Sequence, residues 1–311
     1  MSTLICGSVA FDTIMTFEGR FRNHILPDQI HMLNVSFLVP GMRREFGGCA
    51  GNIAYSLKLL GGNPMIMATV GADAGPYYDH LEKLSLSAKH MLEVPEMFTA
   101  QAMITTDLDN NQITAFHPGA MSQSHLNKVG DAPGCTLGIV APDGKQAMME
   151  HAQQLHDANI PFIFDPGQAM PAFTPEDLKH LVELADYVAV NDYEALLLSK
   201  SAGWTLEQIA AKVDALIVTK GEKGALIMAG GISHEIPAVE VEAVVDPTGC
   251  GDAFRAGLLY GIEHGLDWPT TGRLASLLGS IKVAQRGPQN HHFTPASIAE
   301  QFERAFSYKL G

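Results

Sequence analysis

The chain has no stretch of about 20 consecutive apolar residues, the length a membrane-spanning helix needs. Its first residues, MSTLICGSVAFD, lack the basic segment and long apolar run of a secretory leader. Cysteine is scarce and scattered: four in 311 residues, Cys6, Cys49, Cys135 and Cys250, with no CxxC pair. That usage argues against a disulfide framework and a structural zinc site, and a reducing cytoplasm fits it best. Positive charge is also short, with 20 Lys and Arg against 34 Asp and Glu and a formal net charge of −14. Such a balance speaks against nucleic acid or an anionic membrane as the main partner. It leaves ATP open, whose phosphates backbone N–H groups and Mg²⁺ can hold.

Several catalytic signatures are missing as well. Gly138 and Gly144-Lys145-Gln146 fail the spacing of a Walker A loop and lack its Ser or Thr. There is no GxSxG elbow. His151 and His156 stand outside any HExxH frame, and His291-His292 reads as a solvated loop. The glycine-rich stretch around Gly47 does not have the GxGxxG spacing of a dinucleotide site.

What is present is 46% hydrophobic content over 311 residues, enough for one large α/β domain with an appendage. Short apolar runs predict strands at Leu4–Cys6, Met65–Val70, Leu137–Val140, Phe162–Phe164, Tyr187–Val190, Leu216–Thr219 and Ala225–Met228. Amphipathic stretches between them predict helices at Ala50–Leu60, Pro76–Leu84, Lys145–Ala158, Pro175–Leu184, Asp192–Ser199 and Leu206–Val213. Gly251–His264, Thr270–Gln285 and Pro295–Phe306 follow in the last third. This alternation implies a mostly parallel sheet covered by helices. Residues 13–46 and 99–117 break it; the second alternates and carries a DNN turn, a hairpin signal. Both are expected to form a small β lid on a single domain spanning 1–311; a decorative edge hairpin has the same pattern.

The most informative stretch is Asp246-Pro247-Thr248-Gly249-Cys250-Gly251-Asp252, directly before an apolar helical run. A helix start offers unpaired N–H groups and a positive dipole end, and glycines allow close approach to an anion. A carboxylate at Asp252 beside such a cradle suits phosphoryl transfer to an alcohol. Plain helix capping explains an isolated loop of this kind equally simply. In Gly7-Ser8-Val9-Ala10-Phe11-Asp12, Asp12 is either a turn former or an acceptor for two sugar hydroxyls. Phe46-Gly47-Gly48-Cys49-Ala50-Gly51-Asn52 brings backbone near a small polyol, with Asn52 as donor and acceptor. Asn191-Asp192-Tyr193-Glu194 places Asn191 and Glu194 on one helical face, fit for a hydrated Mg²⁺ or for a helix cap. Thr219-Lys220-Gly221-Glu222-Lys223-Gly224 is a turn suited to nucleotide phosphate or ribose, or a simple hairpin.

Together GSVAFD, GGCAGN, NDYE, TKGEKG and DPTGCGD resemble, in order and nearly end to end, the ribokinase-like (PfkB-type) carbohydrate and nucleoside kinases. The resemblance implies a three-layer α/β domain with a small β lid. It implies Asp252 as catalytic base and the N–H groups of Gly249, Cys250 and Gly251 as anion hole. Asp12, Gly48 and Asn52 match positions that bind sugar hydroxyls, Asn191 and Glu194 the Mg²⁺ and phosphate motif, and Thr219, Gly221 and Gly224 the ATP-binding turn. Pro247 and Cys250 depart from the commoner Thr and Ala of the family, and Cys250 introduces a thiol-reagent-sensitive position. Implied cofactors are ATP and Mg²⁺, with a monovalent cation as a further candidate. REFGGCAGNIAYSLKLLGG is similar to bacterial and archaeal adenosine or broad nucleoside kinases, so the expected reaction is phosphorylation of a nucleoside 5′-hydroxyl, with adenosine favoured. Phe116 either stacks on the base or belongs to the lid core, and Gln101 is a candidate to contact the base; Arg43 and Arg44 either reach phosphate on lid closure or are plain surface charges. Ribose or ketohexose kinases, and a non-catalytic binding protein on the same scaffold, are the competing readings. Monomer and homodimer are equally consistent.

Overall fold

The computed structural model describes residues 2–25, 34–109 and 111–310. Positions 26–33 of the expected lid and Asn110 of its DNN turn lie outside the described residues. Along the chain run β1 (Thr3–Cys6), β2 (Ala10–Thr16), β3 (Gly41–Gly47), α1 (Cys49–Leu59), β4 (Pro64–Gly71), α2 (Gly75–Lys83), β5 (Met91–Val94), β6 (Ala100–Thr106) and β7 (Gln112–His117). Next come β8 (Leu137–Val140), α3 (Lys145–Asp157), β9 (Phe162–Phe164), α4 (Pro175–Leu184), β10 (Tyr187–Asn191), α5 (Asp192–Ala202), α6 (Leu206–Ala210) and β11 (Ala215–Thr219). The chain closes with β12 (Ala225–Ala229), β13 (Ile232–Ile236), α7 (Cys250–Glu263), α8 (Trp268–Val283) and α9 (Pro295–Phe306).

Nine strands form the main sheet in the order β13-β12-β11-β10-β9-β8-β1-β4-β5. All its pairs are parallel except β11 with β12 and β12 with β13. Its strands are apolar throughout because successive side chains enter two different cores. Ile5, Ile139, Ile163, Ala189 and Ile217 pack with Leu57, Tyr77, Leu258, Leu274 and Phe302 on the face covered by α1, α2, α7, α8 and α9. Leu4, Val140, Phe162, Val188 and Leu216 pack with Met148, Leu155, Leu181, Leu198 and Ile209 on the face covered by α3 to α6. This is the expected three-layer arrangement.

A separate four-stranded sheet, β3-β2-β6-β7, forms the lid. The chain leaves β1 and passes through Gly7-Ser8-Val9 into β2, so Asp12 sits within a lid strand and is not a turn residue. β2 is antiparallel to β3 and parallel to β6, and β6 is antiparallel to β7. The hairpin turn is knit by Asp107, whose carboxylate accepts from the N–H groups of Asp109, Asn111 and Phe21, each at 2.9 Å. Register places Asp12, Ala102 and Phe116 in one row across the lid, and Phe11, Gln101 and His117 in the next. Adjacent rows point to opposite faces. That parity decides which lid residues look toward the main sheet.

Candidate active site

The helices α4, α5, α6, α8 and α9 begin with a side chain accepting from a first-turn N–H. Two helices at the lid side begin differently. α1 and α7 start at Gly48, with φ +87°, and Gly249, with φ +82°, and neither has a side-chain cap. Both glycines are required by their surroundings as well as by their positive φ. A Cβ on Gly48 would come within 2.7 Å of Ala10 N, and one on Gly249 within 2.8 Å of Pro288 Cβ. Ser8 takes the first two N–H groups of α1: its Oγ accepts from Cys49 N at 3.1 Å and its carbonyl from Ala50 N at 2.9 Å. So α1 brings chiefly its positive dipole end to the place where α7 adds the N–H groups beyond Cys250.

That place is a cleft of about 580 Å³ between the strand ends and the lid. Of the residues singled out in the sequence, Asp12, Gly48, Asn52, Phe116, Gly249, Gly251 and Asp252 line it. A larger groove of about 1020 Å³ runs along residues 237–245, α8 and α9, and contains none of these groups. The smaller cleft is the candidate site, since Asp252 and the two glycine-led helix starts are there. The larger groove adjoins the glycine turn after β11, because Gly224 packs so closely on the chain that a Cβ would lie 2.8 Å from Ala238 N.

Asp252 stands in the first turn of α7. Its Oδ2 accepts from Asn52 Nδ2 at 2.8 Å, and Asn52 Oδ1 accepts from Gln289 Nε2 at 2.9 Å. Gln289 Nε2 also reaches Tyr77 OH at 3.0 Å, and Tyr77 OH donates to Gly47 O at 2.8 Å. Burial raises the Asp252 carboxyl to about 6, with Asp165 and Asp12 adding and the Asn52 hydrogen bond and Arg255 opposing. Asp12 is likewise pushed up to about 6, by burial first and then by Glu45 and Asp246. Its carboxylate folds over Gly47, where a Cβ would fall 2.5 Å from Asp12 Oδ2. A carboxylate poised near neutrality beside an anion-attracting helix start is equipped to take a proton from an alcohol.

One turn along α7, Arg255 bonds both oxygens of Asp165, at 3.1 and 3.3 Å, in a buried pair. The pair pins the start of α7 to the end of β9. Asn191 and Thr219 are partners across β10 and β11. Asn191 Oδ1 accepts from Glu194 N at 2.7 Å, and Glu194 Oε2 accepts from Asn191 N at 2.8 Å. This segment is thus a capping box, and its hydrogen bond uses only one Glu194 oxygen. Burial raises the Glu194 carboxyl, with Asp165 adding and Arg255 opposing. A single half-buried carboxylate whose other oxygen has no hydrogen-bond partner among the described residues fits a Mg²⁺ that keeps several waters and is otherwise held by phosphates.

Three expectations require correction. Gln101 lies on the lid face turned away from the cleft and donates to Asp73 Oδ2 at 3.2 Å. Cys250 does not line the cleft: its N–H donates to Pro247 O at 3.1 Å, and burial pushes its thiol up to about 11, away from thiolate reactivity. His291 is fully buried rather than solvated; its Nε2 lies 3.1 Å from Ser56 Oγ, and its carbonyl accepts from Tyr55 OH at 2.6 Å. Arg44 stacks 3.6 Å over the Phe11 ring and approaches Asp73 at 3.6 Å, while Arg43 pairs with Glu45 at 3.1 Å. Arg44 is 42% exposed at its side chain and Arg43 35%.

Gln289, Tyr77, Arg255, Asp165 and Asp143 went unnoticed in the sequence. Asp143 follows β8, and a position beyond a strand's carboxyl end was the signal available for it. It lines the cleft, and its Oδ1 accepts from Ser124 Oγ at 2.7 Å and Gly144 N at 2.8 Å. Burial pushes its carboxyl up to about 7.

The family profile described as pfkB family carbohydrate kinase matches residues 12–295. The chain is 32% identical over 275 residues to a nucleoside kinase of Methanocaldococcus jannaschii, covering 87% of this chain and 90% of that one. The structure of Burkholderia thailandensis nucleoside kinase in complex with inosine superposes with a TM-score of 0.90 at 58% identity, covering 99% of both chains. The same Burkholderia enzyme in complex with ADP and inosine gives a TM-score of 0.88 at 60% identity, covering 99% of this chain and 97% of that one.

Proposed function

The chain belongs to the pfkB family of carbohydrate kinases, and from that premise we propose that it transfers the γ-phosphate of ATP to the 5′-hydroxyl of a purine nucleoside. Adenosine is the acceptor favoured by the glycine-rich stretch around Gly48; inosine joins it because a relative of 58% identity is described in complex with inosine. The observation that carries the reading is one cleft with two complementary walls. On one stand Asp252 and the uncapped start of α7; on the other, the lid row of Asp12 and Phe116.

In this reading the ribose hydroxyls meet Asp12 and Asn52, and the base lies against the Phe116 ring, which is 52% exposed and has apolar area to offer. Asp252 takes the proton of the attacking hydroxyl. The N–H groups of Gly249 and Gly251 receive the phosphoryl group, whose loose, charged transition state rewards positioning and fixed dipoles over covalent chemistry. Thr219, Gly221 and Gly224 hold the donor nucleotide, as does the adjoining groove at residues 237–245. Mg²⁺, when bound, neutralises the donor phosphates, and Glu194 and Asn191 are the groups that would hold it. Lid closure over the cleft excludes water and limits futile ATP hydrolysis.

The test is ADP release from Mg-ATP with adenosine, inosine, guanosine, cytidine, ribose and fructose, run beside Asp252→Asn. Turnover with purine nucleosides that is lost in the variant is the expected result. Turnover with ribose or fructose alone would move the acceptor to simple sugars, and none with any acceptor would overturn the kinase reading.

A further inference from the structure

Lys282 is fully buried in the last turn of α8. A buried ammonium is costly unless its charge and donors are met. Arg255, also buried, is met by Asp165, whereas among the described residues Lys282 has no carboxylate within ion-pair distance. Its Nζ donates instead to two main-chain carbonyls, Asp246 O at 2.9 Å and Gln285 O at 3.0 Å.

Those carbonyls belong to the two loops that back the cleft. Asp246 opens the segment that ends at Asp252, and Gln285 lies four residues before Gln289. The Asp246 carboxylate ties the same loops, accepting from Thr248 N and Gly287 N at 2.9 Å each. The stem of Lys282 runs beneath Gly249, whose Cβ position lies 3.6 Å from Lys282 Cε. Because Lys282 is wholly buried, the Asp246 carbonyl it holds points into the protein. A peptide flipped there would withdraw the oxygen from Nζ and rotate the N–H groups that follow. Converging carbonyls with a positive charge at their centre are also the surroundings a bare monovalent cation would require. Here a tethered ammonium fills that role, so this arrangement does not fit an additional K⁺ among these carbonyls.

We propose that Lys282 is a positioning residue that acts as a built-in monovalent cation, fixing the Asp246 and Gln285 carbonyls so that the 246–252 loop keeps its anion-receiving shape. The proposal rests on the reading that this loop receives the phosphoryl group. It implies turnover without added K⁺ or NH₄⁺.

The experiment uses the full chain and Lys282→Ala in buffer free of K⁺ and NH₄⁺, then with K⁺, NH₄⁺ and methylammonium titrated in. Turnover and nucleoside KM are measured, and ADP binding with Mg²⁺ is followed by calorimetry. The wild type should be indifferent to all three cations. The variant should lose roughly 100-fold in turnover, the scale of a small misplacement of reacting groups, with nucleoside KM little changed. K⁺, NH₄⁺ or methylammonium should restore both turnover and ADP affinity with saturation, an effect that a merely structural lysine would not give. Wild-type activity that rises several-fold with K⁺ would overturn the idea, and that measurement stands even if the variant fails to fold. A folded variant with full turnover, or one that no cation rescues, would overturn it equally. If the wild type turns over no acceptor, the kinase reading falls, and cation rescue of ADP affinity alone decides the role of Lys282.

Discussion

Asp252→Asn separates the cost of a partly buried carboxylate from the benefit of the base proposed for it. The carboxyl ionises near 6 in the folded chain against an ordinary 3.8, chiefly because burial penalises its charge. At about 1.4 kcal/mol for each factor of ten, that gap corresponds to about 3 kcal/mol of destabilisation at pH 8. It is an upper bound because the carboxylate faces an open cleft. The sign follows from the direction of the shift. Above the folded value both states are ionised and the native chain bears the whole penalty. As pH falls through about 6 the native carboxyl takes up its proton first, and below about 4 the penalty is gone. Asparagine keeps the Asn52 contact by presenting its own carbonyl oxygen, so packing is preserved. The variant should therefore be about 1–3 kcal/mol more stable than wild type at pH 8, with the difference closing toward pH 4. Urea unfolding of both proteins across this range measures it. Turnover should fall about 10²- to 10⁴-fold, the usual worth of a general base. Wild-type kcat/KM should rise with pH through about 6. Equal stability at every pH would refute the desolvation argument, and near-normal turnover would refute the role as base.

Gly249→Ala forces a side chain into a left-handed position and against Pro288, so turnover should drop well before nucleoside affinity, as separate kcat and binding measurements would reveal. Asp165→Ala leaves the Arg255 guanidinium buried without its partner and should cost about 3–5 kcal/mol in denaturant unfolding; adding Arg255→Met should recover part of that loss. Phe116→Ala should raise KM for nucleosides roughly 5- to 100-fold, the range that base–aromatic stacking supplies, while leaving any activity on ribose unchanged. Equal effects on both acceptors would remove Phe116 from base contact.

The parts of this fold legible in the sequence are those whose surroundings are uniform. Leu137–Val140 and Phe162–Phe164 are buried on both faces, so an unbroken apolar run marks each strand without knowledge of its neighbours. The start of α4 is written locally too, in a Thr174–Asp177 capping box with Pro175 at its first helical position. Edge strands have no such marker. Met91–Val94 and Ile232–Ile236 are half exposed and mix charge with apolar residues, so they read as loop. The glycine-bearing motifs of the site are legible because backbone conformation limits which residues fit, as at Gly48 and Gly249. Side-chain placement was harder. Gln101 and Ala102 differ by one position, and only the register against β2 decides which faces the cleft. His291 looks like a solvent residue until Tyr55 and Ser56, over 230 positions away, are seen to receive it.

The hydrogen bonds behind Asp252 show why its carboxyl settles near neutrality. Gln289 presents Oε1 to His80 Nε2 at 2.9 Å, so that ring nitrogen carries the proton; burial lowers the His80 pKa and keeps the ring neutral. The other end of the amide donates to Asn52 Oδ1, which orients Asn52 so that Nδ2 must donate to Asp252. Tyr77 fixes the orientation of the Gln289 amide, receiving from its Nε2 and donating to Gly47 O. One continuous row of donors, His80 to Gln289 to Asn52, thus ends on the carboxylate, while a side branch through Tyr77 ends on Gly47 O. Gln289 and Asn52 are buried, so neither amide can turn over without leaving a donor or acceptor unmet. Burial and the neighbouring Asp165 and Asp12 push the proton on, while this directed row and Arg255 push it off. The compromise lies close enough to physiological pH for one group to accept a proton from a hydroxyl and surrender it afterwards. Residues 52, 80, 252 and 289 come from four separate segments, so the tuning of this carboxyl, the proposed base, belongs to the tertiary fold and not to the glycine loop that announces it.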